Sequence, residues 1–308
     1  MKKISFVVIA YNEERTITNC MKSILNQEGL KNLSYEIIVV SDGSKDETCG
    51  VVENLRSKNP KIQLVDFKEN RGRGFARYEG IKKSKGDYIV FVDADITLPK
   101  NWLRKVIPYI EQFDAVGGIA IPDGDSTYIS QNFCLEPKPL PHTCGITGSN
   151  SIYKRSIFNK IMLDPNLRGG EDIDVVIKMV QSGYKIKLLN NLIVSHKEDI
   201  TFKRSLKRMF SFGKGATNLL NVYRKIRLPD ISFFLFIFLL INAIYFSLNR
   251  KFYFILLLII YPLLVSYLHL FKKFKLGKVS GFIYGGIINY FMIFSYFVGR
   301  LVGYFLKE

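Results

Sequence analysis

Through the first 121 positions, short apolar runs rich in β-branched residues alternate with stretches whose apolar residues recur at helical spacing. Ile4–Ala10, Tyr35–Ser41, Ile62–Asp66 and Tyr88–Val92 read as strands. Helices are predicted between them, from about Glu13 to Asn26, from Asp46 to Ser57 and from Arg73 to Ser84. Pro99 opens a further helix, since proline is tolerated in a first helical turn, and Ala115–Ile121 follows as another strand. This alternation predicts an α/β domain built on an open, mainly parallel sheet with flanking helices. Ligands of such sheets bind beyond the carboxyl ends of the strands. Polar clusters stand at those ends: "YNEE" after the first strand, "SDGSKDET" after the second and "DAD" after the fourth.

The pattern changes after residue 121. Residues 122–145 make a Pro/Gly-bearing connection of a length that is more often functional than idle in a compact domain. "ITGSNSIY" then reads as a short extended stretch, and "LRGGEDIDVVIKMVQSGYKIKLL" as a loop, an acidic helix start, an apolar-periodic helix and a strand. From 201 to 227, Leu206, Phe210, Gly213, Thr217 and Leu220 keep helical spacing on a largely apolar face. Lys203, Arg204, Lys207, Arg208, Lys214, Arg224, Lys225 and Arg227 supply positive charge there with no acid among them. A solvated basic helix has this pattern. Its position directly before three apolar runs favours an interfacial helix on anionic lipid.

Those runs, Ile231–Leu248, Phe252–Phe271 and Ser280–Phe305, each approach or exceed the ~20 helical residues that a ~30 Å hydrocarbon core requires. Asn289 and Arg300 interrupt the last, where Arg300 is near enough the end to snorkel. Gly299 and Gly303 form a G-x-x-x-G that can join two helices but that coincidence readily supplies in glycine-bearing membrane segments. The expected organisation is a catalytic domain over 1–200, a basic amphipathic region over 201–228 and an all-α membrane region over 229–308 with two to three transmembrane helices. By the positive-inside rule, the basic segment before Ile231 and the loop "KKFKLGK" belong on the cytosolic side, so the C-terminus lies across the membrane if the last run spans.

A net charge of +17 ordinarily points to nucleic acid, so its distribution matters. Up to residue 199 there are 28 Lys and Arg against 25 Asp and Glu; beyond it there are 16 against 2. The excess belongs to the apolar segment, which points to a membrane surface and away from nucleic acid. Cys20, Cys49, Cys134 and Cys144 lack C-x-x-C spacing and read as reduced, non-metal thiols of a cytosol-facing domain. The start, "MKKISFVVIAYNEE", imitates a signal peptide, but its apolar run is short, ends in charge and lacks a small-residue cleavage site, so it reads as a first strand.

In "YIVFVDADITLP" a strand ends on two aspartates one residue apart. Side chains at i and i+2 of an extended segment share a side, so Asp93 and Asp95 are expected ~6–7 Å apart with a cation between them. A divalent metal with a phosphate behind it answers that need, whereas two turn aspartates in a solvated loop are the plainer reading of a lone D-x-D. "VVIAYNEE", "IIVVSDGSKDET", "NRGRGFARYEGIKKSKGDYIVFVDAD", "GSNSIYKRSIF" and "GGEDIDVVIKMVQSGYKI" with a later histidine together resemble a family 2, GT-A-fold glycosyltransferase over about the first 200 residues.

That resemblance implies the roles that follow. Tyr11 and Glu13 line a nucleotide pocket, Asp42 hydrogen-bonds the base, and Arg73 lies near the nucleotide, with Arg71 as an alternative. Asp95 takes a Mg2+ or Mn2+ ion and Asp93 the ribose with a share of the metal. His196 completes the coordination, although a lone histidine after a strand is more often structural. Asp172, in "GGEDID", is the base that deprotonates an acceptor hydroxyl, while Asn150, Gly170 and Glu171 shape the acceptor side. An acidic first turn that satisfies a helix dipole has the same look. A single base implies inversion at the anomeric carbon.

The Q-x-x-R-W signature of processive synthases is absent, and "KRSLKRMFSFGKG" stands in its place. The expected activity is therefore transfer of a single sugar from a nucleotide-sugar donor to a lipid-linked or membrane-associated glycan. A polyprenyl-phosphate glycosyltransferase and an inactive membrane scaffold of the same fold are the alternatives. A dinucleotide-binding oxidoreductase is disfavoured, since "GRGFAR" puts Arg77 where a third glycine belongs.

Overall fold

The computed structural model describes residues 3–123, 146, 148–167, 169–197, 201–223, 226, 228–248, 256, 260–265 and 279–305. Most of the 122–145 connection, Cys134, Cys144, Arg224, Lys225, Arg227, the "KKFKLGK" loop and most of the second apolar run lie outside the described residues. The chain divides into two compact units, Met1–Asp199 and Ile200–Glu308.

In the first unit the strands are β1 (Lys3–Ala10), β2 (Ser34–Asp42), β3 (Ile62–Phe67), β4 (Tyr88–Asp93), β5 (Ile96–Thr97), β6 (Ala115–Pro122), β7 (Asn150–Lys154) and β8 (Ile186–His196). The helices are α1 (Ile17–Leu25), α2 (Thr48–Lys58), α3 (Arg73–Lys83), α4 (Trp102–Ile110) and α5 (Glu171–Gln181). One mixed sheet has the order β3-β2-β1-β4-β7-β6-β8-β5. β1, β2, β3 and β4 run parallel, as does β6 with β8, while β7 is antiparallel to both neighbours and β5 to β8.

The apolar runs are continuous because the sheet is covered on both faces. Ile4, Phe6, Val8 and Ala10 of β1 enter one core with Ile17, Met21 and Ile24 of α1 and Trp102 and Val106 of α4. Val7 and Ile9 enter the other, with Ala76 and Ile81 of α3 and Val176 and Met179 of α5. Each such side chain contributes about 1.5–3 kcal/mol when fully buried.

Three predicted helix starts shift, that of the second helix from Asp46 to Thr48. The first helix begins at Ile17 because Asn12 adopts a positive φ of 57° and Glu13–Thr16 form a turn in which the amides of Thr16 and Ile17 bond to the Glu13 carbonyl. The fourth begins at Trp102, after a turn in which the Trp102 amide bonds to the Pro99 carbonyl.

The second unit contains α6 (Phe202–Tyr223), α7 (Leu228–Leu248) and α8 (Val279–Phe305). Among the described residues, Asp230–Leu248 and Gly286–Phe305 are long and apolar enough to cross a membrane. Two expectations for α8 are corrected here. Arg300 does not snorkel: it is fully buried, with Nη1 2.5 Å from Asp230 Oδ1 and its guanidinium 4.7 Å from the Phe233 ring, so an opposite charge on α7 holds it inside. Gly299 and Gly303 are not a coincidence of composition. A Cβ on Gly299 would collide with the Phe210 carbonyl, one on Gly213 with the Tyr296 carbonyl, and one on Gly303 would crowd Thr217 and Lys214. The glycines let α6 and α8 meet backbone to backbone.

Trp102, the chain's one tryptophan, is fully buried and donates Nε1–H to Asn150 Oδ1 at 2.7 Å. Trp102→Ala removes that bond and leaves a cavity, and we expect it to lower stability by about 3–5 kcal/mol in a denaturant titration followed by circular dichroism. A loss below about 1 kcal/mol would contradict this packing.

Candidate active site

Register brings the site together. Ala10 of β1 pairs with Ser41 of β2, and Ile9 with Asp93 of β4, so three parallel strands end at one level. Antiparallel β7 begins beside them, with Asn150 opposite Val92. β4 and β5 are joined by only Ala94 and Asp95, yet β5 pairs with β8 at the far end of the strand order. The sheet therefore curls until its β5 end returns to the middle strand β4 at the D-x-D. Ile96 opposite His196 then sets the imidazole Nε2 2.9 Å from Asp95 Oδ2.

The two aspartates have different neighbours. Arg77, on α3, is 3 % exposed; its Nη2 donates to Asp93 Oδ1 at 2.5 Å and to the Gly148 carbonyl at 3.0 Å, and its Nη1 donates to Glu171 Oε1 at the start of α5. The charge facing Asp93 is thus a guanidinium. Burial pushes the Asp93 and Glu171 carboxyls up, and Arg77 opposes that rise at both. A Cβ on Gly148 would strike the Arg77 guanidinium, so this position needs glycine. The sequence reading missed Arg77, seeing it only as the residue that spoils a glycine fingerprint. Its signal is an arginine four residues before Ile81 on the buried face of α3, beside Ala76 and Gly80.

The other candidates fall on this edge or behind it. Asp172 Oδ2 accepts the Gly148 amide at 3.2 Å and Oδ1 the Ile173 amide at 2.9 Å, so Gly148 joins Asp172 to Arg77. Gly170, with φ 83°, supplies the left-handed turn before α5. Glu171 is nearly fully buried in its ion pair and does not line an open acceptor face. Asn150 is buried as well. Its amide accepts from Trp102 and donates to the Leu192 and Ile119 carbonyls, which ties β7 to α4, β6 and β8 and directs it inward rather than to an acceptor.

Asp42, nearly buried, accepts the amides of Arg71 at 2.9 Å and Gly72 at 2.7 Å and so fixes the glycine loop before α3. Arg71 stacks on Phe75, 3.7 Å from the ring, whereas the exposed Arg73 acts on Asp93 and Glu171, which favours Arg73 as the basic residue of the site. Tyr11 is exposed at the rim. Asn12 accepts the Lys45 amide at 2.7 Å, and Glu13 donates its amide to Thr48, so the loops after β1 and β2 are stitched together. Among the described residues no group of three or more His, Cys, Asp or Glu side chains is arranged to hold a metal. The donor set fits one in part: the Asp95 carboxylate oxygen suits Mn2+ or Mg2+, whereas the His196 imidazole nitrogen beside it is a donor these oxygen-seeking ions favour less.

An α/β sheet whose curled end gathers an aspartate pair, a histidine and an acidic helix start has the architecture of a GT-A-fold glycosyltransferase. Residues 5–162 match glycosyl transferase family 2, and the chain belongs to that family. Over 239 residues it is 25% identical to a dolichyl N-acetyl-alpha-D-glucosaminyl phosphate 3-beta-D-2,3-diacetamido-2,3-dideoxy-beta-D-glucuronosyltransferase of Methanococcus voltae, covering 69% of this chain and 72% of that protein. A dolichyl-phosphate beta-glucosyltransferase of Trichomonas vaginalis is 42% identical over 147 residues, 46% of this chain and 44% of that protein. Among solved structures, a Pyrobaculum calidifontis mannosyltransferase in complex with GDP-Man and Mn2+ superposes with a TM-score of 0.63 at 14% identity, covering 99% of this chain and 88% of that one. The first 349 residues of Staphylococcus aureus TarS in complex with UDP-GlcNAc superpose with a TM-score of 0.54 at 18% identity, covering 97% and 91%. These likenesses show the fold.

Burial, and next the charge of Asp95, push the Glu13 carboxyl up from an ordinary 4.5 to about 7. A carboxyl raised by folding holds its proton more tightly in the folded chain. Its contribution to stability is therefore present below about 4.5 and lost as pH rises through about 7. In metal-free buffer we expect the thermal midpoint to fall across that window and Glu13→Gln to flatten the fall. Parallel profiles for the two proteins would contradict the assignment.

Proposed function

We propose that this glycosyltransferase is membrane-anchored and moves a single sugar, with inversion, from a nucleotide-sugar donor to a hydroxyl of a lipid-linked or membrane-associated glycan, with its catalytic domain on the cytosolic face. The observation that carries the reading is the chain of contacts Asp93–Arg77–Gly148–Asp172, which joins the donor-side aspartate to a carboxylate at a helix start.

Asp172 receives the proton of the acceptor hydroxyl as that oxygen attacks the anomeric carbon and the bond to the nucleoside diphosphate breaks. The amides of Gly148 and Ile173 orient its carboxylate for this. Asp95 and His196, with Asp93 beside them, would hold a Mg2+ or Mn2+ ion, which when bound supplies Lewis-acid charge to the diphosphate. Tyr11, Glu13, Asp42 and Arg73 bound the nucleotide. The M. voltae relative, whose name describes a sugar transferred to a dolichyl-phosphate-linked sugar, supports a lipid-linked acceptor.

The T. vaginalis likeness favours a second reading, a polyprenyl-phosphate acceptor, in which the attacking oxygen is already anionic and needs no base. A panel of nucleotide sugars separates the two. With solubilised protein and lipid extract, we expect nucleoside diphosphate release from one donor, dependent on Mg2+ or Mn2+ and lost in Asp95→Asn. Asp172→Asn is expected to slow it by about 10²–10⁴-fold. Release onto dolichyl phosphate that survives Asp172→Asn would establish the second reading, and the absence of release from every donor would overturn both.

A further inference from the structure

α6 and α8 run side by side in the same direction. The Phe202 ring stacks edge-on against Phe291, 6.0 Å between centroids, and Ser295 Oγ donates to the Leu206 carbonyl at 2.7 Å. Gly299 lies on Phe210, Gly303 on Lys214, and Thr217 Oγ1 donates to the Arg300 carbonyl at 3.1 Å. The first four pairs keep the 89-residue offset of Leu206 and Ser295, so the helices stay in register from 202 to 214 and from 291 to 303. Through that length, α6 turns Lys203, Arg204, Lys207 and Ser211 outward as an exposed polar stripe.

This pairing limits what α8 can do in a bilayer. A helix rises ~1.5 Å per residue, so the twelve residues of α8 before Phe291 reach only ~18 Å, against the ~30 Å of a hydrocarbon core. For α8 to cross, at least about eight of residues 291–303 must also lie in hydrocarbon, and they would carry lysines and arginines of α6 in with them. A charged side chain at that depth is strongly disfavoured.

α7 fixes the level of one end of α8. Its Asp230 pairs with Arg300, Phe233 packs on Phe297 and Phe236 on Phe294, so the end of α8 lies at the level where α7 begins. α8 also leaves Ile287, Phe291 and Phe294 exposed, an apolar stripe at helical spacing.

We infer that α8, although apolar enough to span, does not cross the bilayer. α6 and α8 form one in-plane pair in the interfacial layer, with cations of α6 at headgroup level and the exposed stripe of α8 in the acyl chains. Both ends of α8 lie on the side that holds α6. The inference rests on α7 as a membrane crossing and is independent of the reaction catalysed.

Single-cysteine variants of the full chain test it, in a background with Cys20, Cys49, Cys134 and Cys144 replaced by alanine. A membrane-impermeant maleimide is applied to intact cells and to inverted vesicles. Lys203→Cys, Ser280→Cys and Phe305→Cys should label at least tenfold more in one preparation, the same for all three, and Leu248→Cys in the other. A short thiol cross-linker should join Leu206→Cys to Ser295→Cys. Labelling of Ser280→Cys and Phe305→Cys on opposite sides would show that α8 spans and overturn the inference, and absence of the cross-link would overturn the pairing. Leu248→Cys on the same side as Lys203→Cys would overturn the membrane crossing of α7, a distinct failure.

Discussion

A guanidinium buried among carboxylates is the constraint on which the catalytic unit is built. Arg77 is withdrawn from solvent, and that costs several kcal/mol unless its charge is matched and its N–H groups are bonded. Asp93, Glu171 and the Gly148 carbonyl match the charge and bond both Nη groups, while Nε–H has no hydrogen-bond partner among the described residues; each of the three arrives from a different part of the chain. Asp93 closes a parallel strand, Gly148 precedes an antiparallel one, and Glu171 opens the helix that carries Asp172. Removing one partner of such a group typically costs 3–5 kcal/mol, because the charge left behind stays buried. The interaction therefore fixes geometry more than it adds net stability, and what it fixes is the distance between the D-x-D and the start of α5.

The sheet supplies the other half. Because β4 lies in mid-sheet and β5 at its edge with only Ala94 and Asp95 between them, the D-x-D cannot sit in an ordinary turn. It spans the closure of the curled sheet. Asp93 looks toward Arg77 and Asp95 toward His196, so the two carboxylates divide between a fixed cation and the edge where a metal ion with its diphosphate would sit.

Much of this was legible in the sequence. The β-branched runs between helical stretches located the parallel strands to within a residue or so, because burial on both faces leaves no polar interruption to blur them. The polar clusters at strand ends fall where three parallel strands end at one level. Long-range pairing was not legible. That Glu171 turns inward to an arginine, and that Asn150 is used up by Trp102 and β8, depend on which segments meet, and neither periodicity nor spacing carries that. α8 shows the same limit from the other direction. Its apolar length reads as a span, while the glycine contacts that bind it to a cationic helix appear only once the helices are placed.

Arg77→Lys bears most directly on the central claim. Lysine keeps the charge but replaces a planar fork with a single ammonium, and so cannot hold Asp93, Glu171 and the Gly148 carbonyl together. We expect the folded protein, checked by the emission of Trp102, to lose at least about tenfold in transfer rate, with donor KM and kcat both affected. Unchanged transfer by a folded Arg77→Lys protein would contradict the account and reduce Arg77 to a core ion pair.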